Sequence, residues 1–542
     1  MSHPHHPQAI ILATSNSSHP NPVNAKLTER ICGQEIILYT AKLLQQLHIP
    51  ITFIGSNTKV IQPILKREGI SCNCIDLNKN KTEHPLAQSQ SHWSADNLLI
   101  INANMPLLTK QTIQALLEKH TKSHAALTFV TAHNMDPSLR GYEHVIQNGS
   151  HITITQDQLQ ETEEASTLIN AGVYCIEKKY LERYIKHLAP STKARTYSTK
   201  GLVEVMSQHG EHLEKVNVPF DNIRHVSNMK ELWIAEHIKK SELISFWMQQ
   251  GVRFIAPQTT HVEHDVVIEA GAIIQPGAIL QQGSHVEANA IIGSYSIINN
   301  SIIRANAHIL PHSVITDSIV CSEASVGPFA HIRKQSIIGE QSVIGTFVEV
   351  SDSTIGLQTK AKHHAYLGNA HIGSRVTIGA GTITCNYDGY SKYCSIIHDD
   401  AFIGSNNSLI APITIGKFAM TGAGSTLKEN VPAYAFGIAR SVQETIEQEA
   451  SQIRKRKEQE ALNRTNNNLS SGNGQPRTHQ TNNRPDSPHK ISHDHLEQSY
   501  ALQSLRARAE WLDNAVEGYQ STNTSDTGTA SFESSSKTTP EL

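Results

Sequence analysis

Aromatic residues make up only 5% of this 542-residue chain. That scarcity excludes a bulky ring-centred core along much of its length and favours thin aliphatic packing. The seven cysteines, Cys32, Cys72, Cys74, Cys175, Cys321, Cys385 and Cys394, are odd in number and follow no framework spacing. A disulfide scaffold is excluded, and reduced thiols in a cytoplasm are expected. Cys72-Asn73-Cys74 has the spacing of half a metal site, but no second pair accompanies it, so two strand-end thiols are the reading. No apolar run reaches the roughly 18 residues that a membrane span needs. The start lacks a basic-then-apolar signal pattern. Residues 1–7, with His3, His5 and His6, read as a disordered start. A formal net charge of −3 leaves no general basic field. Small molecules, rather than nucleic acid or membrane, are the expected partners.

Aliphatic residues, by contrast, recur at every sixth position from about Val262 to Val431. Val262, Ile268, Ile274, Leu280, Val286, Ile292 and Ile298 form one series. Val326, Ile332, Ile338, Ile344 and Val350 form a second, continued by Tyr366, Ile372, Ile378 and Thr384; Ile403, Leu409 and Ile415 follow after a break. Ile-Gly pairs punctuate the stretch at 292, 338, 344, 355, 372, 378, 403 and 415. A period of six fits neither an α-helix nor a simple strand pair. It is the period of a parallel β-helix, in which each coil stacks its aliphatics on those of the next.

The rest of the chain divides around this stack. Residues 8–226 alternate short apolar strands, such as Ala9–Ala13, Ile51–Gly55, Leu98–Asn102 and Ala126–Val130, with helices near Ile36–Leu47 and Gln111–His120. That alternation implies an α/β domain with a mostly parallel sheet, whose ligands sit at the carboxyl ends of the strands. Residues 227–251 read as a linker helix, with Leu232, Ala235, Ile238, Leu243, Ile244 and Trp247 roughly on one face. Residues 252–445 hold the coils. Residues 446–542 read as a helical and then largely disordered tail. Its charged helix spans Val442 to Asn463, Arg454-Lys455-Arg456-Lys457 form a solvated face, and an amphipathic segment carries Leu505, Ala509, Leu512 and Val516.

Two polar stretches interrupt the periodicity: Lys360 to Tyr366, with His363 and His364, and Thr384 to Lys392. Departures from a repeat cost stacking and are places to look for function. His363 has the chemistry of a general base near neutral pH. Asn386 and Tyr387 can donate or accept at a reacting group, and Arg333 and Lys392 can hold a phosphate.

Gly379-Ala380-Gly381-Thr382-Ile383-Thr384-Cys385-Asn386-Tyr387-Asp388-Gly389, with Gly327-Pro328-Phe329-Ala330 and Tyr366-Leu367-Gly368 upstream, resembles the bacterial bifunctional GlmU family. That family joins a glucosamine-1-phosphate N-acetyltransferase to an N-acetylglucosamine-1-phosphate uridyltransferase, on the route to UDP-N-acetylglucosamine for the bacterial envelope. The resemblance covers residue 8 to about residue 443. It implies a nucleotidyltransferase-like (Rossmann-like) α/β domain, a left-handed parallel β-helix of hexapeptide repeats, and a cytoplasmic homotrimer. Acetyl-CoA is the implied acetyl donor. Residue by residue, it implies His363 as the base, Glu349 as its supporting carboxylate and Asn386 as a further catalytic residue. It implies sugar-phosphate contacts at Arg333, Tyr366 and Lys392. For acetyl-CoA it implies Ala380, Asn386, Tyr387, Ser405, Ala423 and Arg440. In the amino-terminal domain it implies nucleotide-sugar contacts at Leu12, Ala13, Ser15, Lys26, Gly141, Gln156, Asn170 and Asn222, with Mg²⁺ and UTP. The implied metal positions are Asn104 and Asn222.

Several residues depart from the family pattern. Serines stand at 15 and 17 where it has glycines, and His19 stands where it has an arginine for the nucleotide phosphates. Glycine gives phosphates close access to backbone N–H groups, and neutral imidazole cannot replace a guanidinium fork. Asn104 replaces the family's aspartate, and a neutral amide is a much weaker Mg²⁺ ligand than a carboxylate. The uracil-side loop appears only as Lys81-Thr82-Glu83-His84, and Gln156 stands for the sugar-site glutamate. The domain is therefore expected to keep the fold with uridyl transfer eroded. In the coils, Ser351 replaces a lysine and Thr377 an asparagine. These changes leave room for another amino sugar as acceptor. A catalytically idle trimeric scaffold is the rival from another class, against which His363, Glu349, Asn386 and Lys392 argue together.

Overall fold

The computed structural model describes residues 7–13, 27–55, 58–77, 84–133, 142–149, 151–155, 168–188 and 199–470. Ser15, Ser17, His19, Lys26, Gly141 and Gln156 lie outside the described residues, as do the loop 81–83 and the segment around Leu505.

The amino-terminal sheet runs, from edge to edge, Leu213–Asn217, Leu127–His133, Leu168–Glu177, Asn97–Asn102, Gln8–Ala13, Ile51–Gly55, Cys72–Asp76. Neighbours are parallel except around Leu168–Glu177, which is antiparallel to both of these neighbours and to Glu143–Asn148, itself antiparallel to His151–Thr155. This ten-residue strand went unrecognised in the sequence, although nearly all of it is buried. Its apolar run Val173-Tyr174-Cys175-Ile176 is continuous and shows no alternation, as befits a central strand covered on both faces. Helices Ile36–Gln46 and Lys110–Ser123 bury their apolar stripes beside the sheet. The second is capped by Thr109, whose hydroxyl accepts from the Thr112 N–H at 3.2 Å. Its His120 is buried, with Nδ1 2.9 Å from the Thr128 hydroxyl.

Helix Met229–Gln249, capped by Asn228, leads into the coils. The turn between Arg30–Ile31 and Gln34–Glu35 docks on the first coil: the Cys32 carbonyl accepts from the His264 N–H at 3.0 Å. Three parallel sheets of 11, 10 and 9 short strands follow, one per face of a left-handed β-helix. Ile268, Ile274 and Leu280 all point inward and are buried, as their spacing predicts.

The step along the column is not always six. It falls to five at Ile298 to Ile303, Ile315 to Val320, Val350 to Ile355 and Leu367 to Ile372, all of them buried. Each of these corners turns on one left-handed residue, Asn300, Asp317, Asp352 or Asn369. Where two residues turn together, Gln282 with Gly283 or Lys334 with Gln335, the step returns to six. Side-chain amides and carboxylates tolerate that conformation better than other non-glycine residues do.

Two details of the six-residue reading are corrected by this geometry. Tyr366 is not in the column; Leu367 is, fully buried, because the five-residue step at the Asn369 corner that follows shifts the register by one. The Lys360–His363 strand does not interrupt the column either, since Ala361 fills the inward position while its neighbours stay exposed. The break after Thr384 is real: residues 386–394 loop out before the strand Ser395–Ile397 resumes.

Buried serines tie the coils together inside the stack. Ser284, Ser301, Ser336 and Ser353 each accept, through Oγ, a backbone N–H from the next coil at 2.9–3.3 Å. Outside, Tyr295, His312, Phe329, Phe347 and His364 form a ladder of rings with centroids 5.0–5.4 Å apart, all at left-handed corners. Beyond Val442 the chain forms a second unit, whose described part runs to residue 470 and carries the helix Glu449–Ser470. It runs past the expected end at 463, through three asparagines. Once nucleated, a helix adds residues at little cost even where propensity is low. No described helix is long and apolar enough to cross a membrane.

Candidate active site

Strands His331–Arg333, Glu349–Ser351 and Tyr366–Gly368 stack in register on one face of the coils. Their middle residues Ile332, Val350 and Leu367 are fully buried, so Arg333, Glu349 and Tyr366 point outward on successive coils. Arg333 donates to Glu349 Oε1 from Nε at 2.8 Å and from Nη2 at 2.6 Å. Ser351, the register partner of both Arg333 and Gly368, is only 4% exposed. A Cβ at Gly368 would lie 2.5 Å from the Tyr366 hydroxyl, so glycine is what lets the phenol lie over this strand.

His363 ends the strand Lys360–His363 on the adjacent face, in register with Thr346, and is exposed. The next residue, His364, turns the corner at φ 41° and stacks on Phe347. Gly345 permits the close approach of these coils, since a Cβ there would meet the Lys362 carbonyl oxygen at 1.9 Å. The resemblance pairs Glu349 with His363. Within this chain the carboxylate is held by Arg333 instead, because Glu349 and His363 leave different faces of successive coils.

The protruding loop is held at both ends. Asn386 is 8% exposed and its Nδ2 donates to Asn369 Oδ1 at 2.5 Å. The Tyr393 N–H donates to the Asn386 carbonyl at 2.8 Å, and Tyr387 and Lys392 form an antiparallel bridge. Asp388 accepts from the N–H groups of Ser391 and Tyr390 at 2.7 and 2.8 Å, which holds its carboxyl below the usual range. Asn369 was not among the candidate residues. Its signal is its place in the polar corner series Asn300, Asp317, Asp352, Asn369, which binds coil to coil through side-chain bonds of 2.6 Å.

Of the six residues that the resemblance implies for the acetyl donor, Ala380, Ser405, Ala423 and Arg440 follow one corner. The Ala380 carbonyl accepts from the Asn406 N–H, next to Ser405, at 2.7 Å. The Ser405 carbonyl accepts from the Gly424 N–H, next to Ala423, at 2.8 Å. Arg440 Nη1 donates to the Ala423 carbonyl at 3.1 Å. Positions spread over 60 residues thus form a single vertical line.

In the amino-terminal domain, Leu12 pairs with Asn102 and Ala13 with Gly55 at the carboxyl ends of their strands. Asn170 Nδ2 donates to Tyr174 Oη at 2.7 Å and to Glu143 Oε2 at 2.9 Å. Asn104 donates from Nδ2 to the Val226 carbonyl at 3.2 Å, and its Oδ1 lies 3.2 Å from His225 Nδ1. His225 Nε2 faces the Ala171 carbonyl at 3.0 Å, and burial pulls its pKa down. Asn222 lies in the turn Phe220–Ile223, whereas the residues bound to Asn104 are Val226 and His225. These residues do not fit Mg²⁺: the donor is a neutral amide whose Nδ2 is bonded to the Val226 carbonyl, with the His225 imidazole 3.2 Å from its oxygen where a metal would sit. Among the described residues no cluster of three His, Cys, Asp or Glu can hold a metal.

An α/β sheet of nucleotidyltransferase type joined to a left-handed β-helix with an acyltransferase-like corner defines the class. Residues 9–195 match the family model described as MobA-like NTP transferase domain, and residues 262–355 that described as GMPPB C-terminal domain. The bifunctional protein GlmU of Thermodesulfovibrio yellowstonii is 33% identical over 444 residues, covering 81% of this chain and 97% of the relative. That of Streptococcus pyogenes is 32% identical over 465 residues, and that of Desulfitobacterium hafniense 28% over 450, covering 97% and 98% of those proteins and 82% of this chain. The chain belongs to the GlmU family. As a member it is a transferase of UDP-N-acetylglucosamine synthesis.

Proposed function

We propose that this chain transfers acetyl from acetyl-CoA to the amine of glucosamine-1-phosphate, and that its uridyl transfer to N-acetylglucosamine-1-phosphate is weak or lost. The observation that supports the first half is that three features flank one corner of the stack. These are an outward Arg333–Glu349–Tyr366 cluster, an exposed imidazole at His363, and the vertical line from Ala380 to Arg440.

An ammonium is no nucleophile, so His363 takes a proton as the amine attacks the thioester carbonyl carbon. The C–N bond forms, the tetrahedral oxyanion collapses, the C–S bond breaks, and the thiolate leaves with a proton. Asn386 keeps a second amide hydrogen for the oxyanion, since only one is spent on Asn369. Arg333, Tyr366 and Lys392 hold the sugar phosphate; Ala380, Tyr387, Ser405, Ala423 and Arg440 hold the donor. A cytoplasmic homotrimer with sites between subunits completes the reading, since His363 and Glu349 leave different faces of successive coils.

The second half rests on Asn104, bound to Val226 and His225 and unable to supply the charge that a nucleotide-bound metal requires. Purified protein should release thiol from acetyl-CoA with glucosamine-1-phosphate, and little pyrophosphate from UTP with N-acetylglucosamine-1-phosphate. Absence of thiol release with this sugar but not with another amino sugar phosphate would transfer the reading to that acceptor, as uncharged Ser351 allows.

A further inference from the structure

The ion pair at the centre of the sugar site has a consequence for selectivity. Arg333 and Glu349 stand on successive coils of one face, and both contacts of the guanidinium run to the same carboxylate oxygen, at 2.8 and 2.6 Å. Both side chains are about one-third exposed, so arriving solutes reach them. The adjacent outward position is Ser351, which brings no charge. An incoming phosphate therefore meets a guanidinium already neutralised by its neighbour.

We propose that Arg333 and Glu349 act as an ion-pair exchanger that selects an amino-sugar phosphate carrying both charges, and that expels the acetylated product. This rests on the acetyl-transfer reading above. A zwitterionic substrate gives its phosphate to Arg333 and its ammonium to Glu349, so one ion pair is replaced by two. A sugar phosphate with a hydroxyl in place of the amine takes Arg333 and strands Glu349 without a counter-ion, which is costly in a partly desolvated site. The ammonium loses its proton before acetyl transfer, and the amide formed cannot be protonated. Glu349 then has no partner on the sugar, returns to Arg333 and competes with the product phosphate. Glu349 is thus a specificity-determining residue.

The test is calorimetric binding of glucosamine-1-phosphate, glucose-1-phosphate and N-acetylglucosamine-1-phosphate to the full chain, at low and high salt. Wild type should prefer the amine-bearing ligand. In Glu349→Gln, glucose-1-phosphate and N-acetylglucosamine-1-phosphate should bind about two- to fivefold more tightly, the scale of a partly exposed ion pair. Glucosamine-1-phosphate should bind more weakly in the same variant, and both effects should shrink in high salt. Glu349→Asp, which keeps the charge, should keep the preference, and this guards against a folding artefact. Unchanged or weaker glucose-1-phosphate binding in Glu349→Gln would overturn the exchange alone. Wild type that neither binds nor acetylates glucosamine-1-phosphate would overturn the acetyl-transfer reading beneath it.

Discussion

Arg333, Glu349 and Tyr366 meet because they flank the buried Ile332, Val350 and Leu367 on three successive coils, Glu349 and Tyr366 in register and Arg333 one step across the strand. Asn104, His225 and Ala171 meet because a strand end, a loop and a bulged antiparallel strand converge at the middle of the sheet. The first kind of site is built by repetition. Each residue's neighbour is known once the corner type is known, and a change of one residue in a coil moves every side chain after it. The second kind depends on segments far apart in the chain. Replacing one member, such as a carboxylate at 104, leaves the fold intact while its chemistry is lost. A repeat stack therefore protects its site through its core, whereas an α/β domain can shed function without shedding stability.

The largest expected effect breaks the comparison at its chemical end. His363→Ala should lower turnover about 10²–10⁴-fold, while acetyl-CoA binding, measured by calorimetry, stays near wild type. Wild-type turnover in that variant would remove His363 as the base. On the other side, Asn104→Asp alone should not bring pyrophosphate release up to the roughly 1–10³ s⁻¹ usual for enzymes, because on the proposed reading Ser15, Ser17 and His19 leave two further needs of the same transition state unmet. Recovery from that single change would show that the amino-terminal site needs only its carboxylate.

Stability sharpens the contrast. Leu367→Ala should destabilise the coil stack by about 2–5 kcal/mol in urea unfolding, the cost of emptying a buried leucine site. Tyr366→Ala, one residue away but outward, should cost under about 1.5 kcal/mol and act mainly on sugar-phosphate KM. Equal costs would mean that the column does not run through Leu367.

The smallest effect is in pH. Burial holds the His120 pKa below its ordinary value, with Glu177 opposing. The unfolded chain then binds a proton that the folded domain refuses. The stabilisation is complete above roughly pH 6.5 and is lost as pH falls from there toward the depressed value. The amino-terminal unfolding midpoint should therefore decline between pH 7.5 and 5.5, and His120→Gln should flatten that decline while the coils change little. An unaltered slope would place the proton elsewhere.

What the sequence determined by itself was the period. Ile268, Ile274 and Leu280 announce a column because a coil of fixed length must return an apolar residue to the same place, and that constraint is local and repeated. The motif from Gly379 to Gly389 likewise fixed the family, and the strands Gln8–Ala13 and Ile51–Gly55 were legible as short apolar runs. The tertiary structure alone decided the corner steps of five, and with them that Leu367 rather than Tyr366 lies inside, because a left-handed turn at Asn369 or Asp352 leaves no mark in hydropathy. It also decided that Glu349 is held by Arg333, and that His225 occupies the oxygen of Asn104. Those pairings join residues 16 and 121 positions apart. Side-chain reach and packing set them, and neither is written in the order of the residues.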